Sequence, residues 1–180
     1  MPTLKEGYWF AWEVGMTLTD LLSLEQWKGL EREIHERFKV NAAVVDDKGV
    51  RITDYANWGN PLCQRIKTDP KGLAAICAPT GQHCTKRMTE SPAAFIEECE
   101  AGMLKIMVPV YTNGDLLGAV GCCGSLDEDM ELDTFLVAKA LEADEGEIVK
   151  AGGTVPCVSR NKAEETLAWI EARLDELLTA

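Results

Sequence analysis

Seven cysteines stand in a chain of 180 residues, and Cys63, Cys77, Cys84 and Cys99 fall in its middle third. Thiolates bind zinc or iron–sulfur clusters when four of them converge, and a protein holds them together by placing them on short loops and element ends. The spacing contains no compact C-x-x-C pair. Any site must therefore be assembled by tertiary folding. Cys122 and Cys123 are adjacent in an apolar run, and neighbouring side chains on a strand point to opposite faces, so at most one of them enters a site on a given face. Cys157, after Pro156, has no thiol near it in sequence and reads as structural. His83 beside Cys84 is a borderline ligand, although a polar residue in the middle of a helix is more often simply exposed. A nucleophilic Cys84 or Cys99 would need a base, and His35 and His83 leave few ways to form a Cys–His pair.

The elements that must position these thiols follow from periodicity. Leu24, Trp27, Leu30, Ile34 and Phe38 recur near the helical period, and Ser23 with Gln26 forms a capping box, which predicts a helix over 23–38. "VNAAVVDDKGVRIT" reads as a hairpin about Asp46–Gly49. Residues 59–70, with Gly59, Pro61 and Pro70, are expected to be irregular or only briefly helical, and Pro79 suits the first turn of a helix over 79–90. Phe95–Ile96, Leu104–Tyr111 and Leu116–Cys123 read as strands, the last two joined tightly through Asn113-Gly114. After Gly124 the pattern is helical, and the final segment puts Ala163, Leu167, Ile170, Leu174 and Leu177 on one face behind Ser159 as N-cap. The order is that of an α+β chain with antiparallel strands on both sides of a helical insert.

Thirty acidic against eighteen basic residues give a formal charge of −12, which repels a phosphate backbone or an anionic membrane surface. Nucleic acid and membrane are not expected partners. The opening "MPTLKEGYWFAWEVG" has no uninterrupted apolar run, which sets the cytoplasm as the expected compartment. Thiols stay reduced there, so the cysteines point to metal binding, redox sensing or burial rather than to disulfides.

"LTDLLSLEQWKGLEREIHERFKVNAAVVDDKG", the tryptophan and cysteine of "NWGNPLCQRI", the second cysteine of "AAICAPT", the third in "CEAGM" and the strand pair "IMVPVYTNGDLLGAVG" together resemble the PocR-type sensory domain. The tail "LDTFLVAKALEADEGEIVKAGGTVPCVSRNKAEETL" is similar to the extension of stand-alone members. The resemblance implies a PAS/GAF-like antiparallel sheet with a helical insert and C-terminal helices. It divides the chain into an arm over 1–18, a sensory domain over 19–158 and a C-terminal helix over 159–180, packed on the domain or on a dimer partner. The family's three cysteines correspond to Cys63, Cys77 and Cys99. Where the family often has Gly-Gln, this chain has Gly121-Cys122, and a thiol replaces a hydrogen-bonding amide. Cys122 thereby becomes the candidate fourth ligand.

The expectation is a cytoplasmic, non-enzymatic sensory module. It would bind a small organic ligand, such as the short diols the resemblance implies, with Trp58, Met103 and Met107 as lining residues, or an iron–sulfur cluster or zinc held by Cys63, Cys77, Cys99 and Cys122. Its output would pass to a signalling partner protein or through a homodimer. The alternatives are a thiol enzyme and a set of cysteines that serve only as small buried hydrophobes.

Overall fold

The computed structural model describes residues 15–180; the aromatic cluster Tyr8–Trp12 of the expected N-terminal arm lies outside them. A short helix α1 (Leu18–Leu21) leads into α2 (Leu24–Phe38), and the Ser23–Gln26 capping box forms as the sequence indicates. Trp27 is fully buried, and its indole N–H donates to the Leu18 carbonyl at 2.9 Å, locking the two helices together.

Strand β1 (Asn41–Asp46) turns back at Gly49 as expected, but the returning strand is reduced to a single bridge between Val45 and Arg51. Side chains take over the edge beyond it. Asn57 accepts from the Ala42 N–H and donates to the Ala42 carbonyl, and the fully buried Glu31 carboxylate accepts from Val44 N–H at 2.8 Å and from Thr53 Oγ1. Arg51 donates to both Glu31 and the Ala42 carbonyl.

The insert comprises α3 (Pro61–Thr68), α4 (Pro70–Gly72), a π-helical turn (Leu73–Cys77) and α5 (Ala78–Glu90). Pro61 and Pro70 open helices here instead of preventing them: each sits in a first turn, where a missing N–H costs nothing, behind an Asn60 or Asp69 cap. The chain then returns as β2 (Phe95–Glu98), β3 (Leu104–Thr112) and β4 (Asp115–Cys123), giving one antiparallel sheet in the order β1-β4-β3-β2. Asn113 and Gly114, at φ 54° and 92°, form the two-residue turn between β3 and β4.

One irregularity in that hairpin matters. Tyr111 pairs with Leu116, but Val110 pairs with Gly118, so Leu117 is an extra residue and every later side chain of β4 changes face. Gly118, at φ 153°, accompanies the bulge; a Cβ there would collide with the Val45 carbonyl.

After Gly124 the expected helical segments form, but the first starts later than the pattern from Leu126 indicates. Leu126–Asp127 form β5, paired in parallel with β6 (Cys157–Val158), and helices begin only where Asp133 and Asp144 cap α6 (Thr134–Leu141) and α7 (Glu145–Gly152). Helix α8 (Arg160–Thr179) starts behind Ser159 and packs Ala163, Ile170 and Leu174 onto its own sheet with α2. Arg173 holds Glu33 of α2 through two hydrogen bonds of 2.7 and 2.9 Å. One face of the sheet thus carries α2 and α8, and the other carries the insert, with α6 and α7 completing the cover. No helix among the described residues is long and apolar enough to cross a membrane.

Candidate functional site

Four thiols line one cavity of about 60 Å³ between insert and sheet: Cys63, Cys77, Cys99 and Cys123. Each arrives on a different element. Cys63 lies in the first turn of α3, where its N–H donates to the Asn60 side chain at 2.7 Å. Cys77 ends the π-helical turn, a widening of the helix of the kind common at functional positions.

Cys99 opens the turn between β2 and β3. Its N–H donates to the Met103 carbonyl, its carbonyl accepts from Gly102 N–H, and Gly102 adopts φ 86° to close the loop. The loop is pinned from both sides: Glu100 N–H donates to Thr80 Oγ1 on α5, and the Ala101 carbonyl accepts from Asp133 N–H. A cysteine therefore stands at this turn because the turn is fastened against α5 three residues from Cys77.

Cys123 ends β4. The sequence reading gives the fourth place to Cys122, and the register corrects it. Cys122 pairs with Ile106 and Ala42 and is buried beneath α2 and α8, whereas Cys123 pairs with Lys105 and Asn41 on the insert side. Without the bulge at Leu117, Cys122 would have paired with Lys105. Choosing between the two cysteines needs that one-residue shift, which alternation alone does not reveal.

Two asparagines tie the thiol-bearing elements together. Asn60, the cap of α3, donates to the Gly124 carbonyl at 2.7 Å, and Asn41 accepts from Gly59 N–H at 2.6 Å while its amide points at Cys123 Sγ from 3.7 Å. Two cations complete the lining. Lys67, one helical turn after Cys63, has its Nζ 3.7 Å from Cys123 Sγ, and Lys105 lines the same cavity from β3. The (i, i+4) relation of Cys63 and Lys67 is visible in the sequence. The roles of Lys105, Asn41 and Asn60 depend on tertiary pairing and are not.

The thiols differ in acidity. Burial pushes Cys63 up to about 12 and Cys77 to about 11, and it raises Cys99. Burial acts on Cys123 in the same direction, but the ammonium groups of Lys67 and Lys105 and the hydrogen bonds from Asn41 and Lys67 outweigh it and bring this thiol to about 7. The Cys123 charge in turn raises Lys67. At neutral pH Cys123 is thus about half thiolate, while burial keeps the other three thiols neutral.

Met103 lines the cavity, with its sulfur 3.5 Å from Cys63 Sγ. Met107 lies instead in a separate cluster with Cys84, Met88 and Phe95, and half-buried Trp58 does not reach the lining. Cys84 Sγ approaches Glu97 at 3.9 Å, and Cys157 is exposed on β6. His35 is engaged with the Val40 carbonyl and His83 with Glu97, and neither lines the cavity. Among the described residues, no three Cys, His, Asp or Glu side chains converge closely enough to hold a single metal ion.

An antiparallel sheet backed by helices on one face, with an insert closing a small chamber on the other, defines an α+β sensory domain of the PAS/GAF-like kind. Residues 20–179 match the family model described as the sensory domain found in PocR, and the chain belongs to that family. The match includes α8 along with the sheet and insert. No curated protein and no solved structure matches the chain.

Proposed function

We propose that this sensory domain reads the state of an iron–sulfur centre bound in the cavity by Cys63, Cys77, Cys99 and Cys123. The observation that carries the reading is that these four thiols, from four separate elements, surround one chamber. A zinc tetrathiolate draws its sulfurs to about 3.8 Å of one another, given Zn–S bonds of about 2.3 Å. Thiols spread around a cavity suit a polynuclear centre better, because the centre's own iron and sulfide fill the space between them. Four thiolates on a dicationic centre leave two negative charges, the number that Lys67 and Lys105 neutralise.

When bound, such a centre supplies a group that oxidants and nitric oxide alter or remove. The chain's own residues turn that event into a shape change. Cys63 and Cys77 belong to the insert, Cys123 to the sheet and Cys99 to the turn beneath α5, so filling the cavity fastens the insert to the sheet. Emptying it leaves the α3 end of that junction to Asn41 and Asn60, and the α5 end to contacts such as Thr80 with Glu100 and Arg87 with Glu97. The looser insert is the signal passed to a partner protein or a second copy.

The test is anaerobic purification, or reconstitution with iron and sulfide, followed by absorption spectroscopy and elemental analysis. The expected result is a broad charge-transfer band at the violet end of the visible with several irons per chain, lost in Cys123→Ser and kept in Cys122→Ser. Colourless, iron-free protein after reconstitution overturns the reading.

A second reading is supported by the apolar part of the lining. Ile66, Ile76 and Met103 face the cavity, which has room for about four waters, a size that admits a short diol. Stabilisation of the iron-free protein by 1,2-propanediol, abolished by enlarging Ile76 to Phe, would establish it.

A further inference from the structure

A second, open groove of about 620 Å³ lies against the outside of the cavity wall, between the turn after β1 and helix α5. Lys48, Leu73, Cys77, Gln82, Thr85 and Lys86 line it, and no carboxylate does. We infer that this groove is the docking surface for an acidic, leucine-bearing segment of the signalling partner.

Charge complementarity selects that occupant. The chain carries a net charge of −12, yet here two lysines stand on opposite walls, and among the described residues neither makes a salt bridge. A cationic groove on an acidic protein attracts an acidic segment, and the rest of the surface repels that segment from other positions. The floor is apolar: Leu73 is 46% exposed and lies beside Ala78, a place for an aliphatic side chain. The groove is also built in. Gly49, at φ 79°, sits so close to α5 that a Cβ would come within 2.7 Å of Thr85 Oγ1, which fixes the Lys48 wall against the Lys86 wall.

Cys77 and Gly81 belong to both cavity and groove. The π-helical turn is therefore one wall with two sides, and a change in how Cys77 is held inside moves the floor on which the partner rests. This coupling rests on the proposed sensing site; the docking itself does not.

The probe is a fluorescein-labelled nonapeptide of glutamate and leucine, added to the full chain at low salt and followed by fluorescence anisotropy and by amide shifts in NMR spectra. The peptide is expected to bind, to shift amides of residues 48–50 and 73–86, and to lose about tenfold or more in affinity with Lys48→Glu/Lys86→Glu. Lys150→Glu, at an exposed site elsewhere, should leave affinity within about twofold. Absence of binding, equal loss in Lys150→Glu, or shifts located elsewhere would overturn the assignment. So would a dimer of the chain that Lys48→Glu/Lys86→Glu dissociates, since the groove would then belong to a second copy. Both lysines are exposed, and circular dichroism checks that the variants fold. Iron analysis of the same samples separates the two proposals: peptide binding by protein that never takes up iron leaves docking intact and removes only the sensing site.

Discussion

Lys67 Nζ lies 3.7 Å from Cys123 Sγ, and this pairing makes one thiol of the cavity acidic while burial keeps its neighbours neutral. Replacing Lys67 by Met removes the nearer cation and leaves burial in command, so the Cys123 pKa must rise. A rise of one unit from about 7 takes the thiolate fraction at pH 7 from about one half to about one tenth. In metal-free protein, the rate of Cys123 alkylation by iodoacetamide, mapped by mass spectrometry, should fall about fivefold at pH 7. Lys67→Arg should restore most of it. An unchanged rate in Lys67→Met would show that Lys105 and Asn41 suffice.

The neutral thiols give stability a dependence on alkaline pH. Burial holds Cys122 at about 12, whereas the same thiol ionises near about 8.5 in an unfolded chain. Between those values only the unfolded state releases the proton. The stabilisation is complete below about pH 8.5 and declines by about 1.4 kcal/mol per pH unit for each such thiol. Cys63, Cys77 and Cys84, all raised by burial, act in the same sense. Cys123 has the opposite sign: its contribution is present above the unfolded pKa and is lost as pH falls through about 7. The urea midpoint of the metal-free protein should therefore drop between about pH 8.5 and 10, with a shallower slope in Cys122→Val. A level midpoint across that range would contradict the burial of these thiols.

Gly118 carries the bulge that selects Cys123. Alanine at this position meets both an unfavourable φ and the Val45 carbonyl, which is backbone and cannot swing away. Gly118→Ala should destabilise the chain by about 3 kcal/mol in denaturant titration. Because strain at the bulge acts on the far end of β4, the variant should also lower Cys123 alkylation at neutral pH. Wild-type stability would mean that the hairpin tolerates a straight register, and the choice between the two cysteines would then need another cause.

Local chemistry made much of this fold legible. The Ser23–Gln26 box, the Asn113-Gly114 turn, Pro79 in the first turn of α5 and the apolar face of α8 are all short-range signals, and each fixes its element. Pro61 and Pro70 leave open whether 59–70 is irregular or briefly helical, because a proline opens a helix as readily as it ends one, and the caps that decide for short helices are the residues just before them. The gathering of Cys63, Cys77 and Cys99 follows from their places on the insert and the turn below it. The fourth thiol was hidden by one extra residue in a hairpin. Of the expected lining residues Met103 reaches the cavity and Trp58 and Met107 do not, because side-chain direction decides what faces it and the sequence does not show that direction.

The clamp on Ala42 and Val44 bears on how copies of this protein meet. A bare strand margin is a template onto which a neighbouring molecule can zip its own main chain, the first step toward stacked aggregates. Here Asn57, Glu31 and Arg51 already occupy those main-chain groups. Along β1 the sheet is hemmed, and that margin is closed to main-chain addition by a second copy.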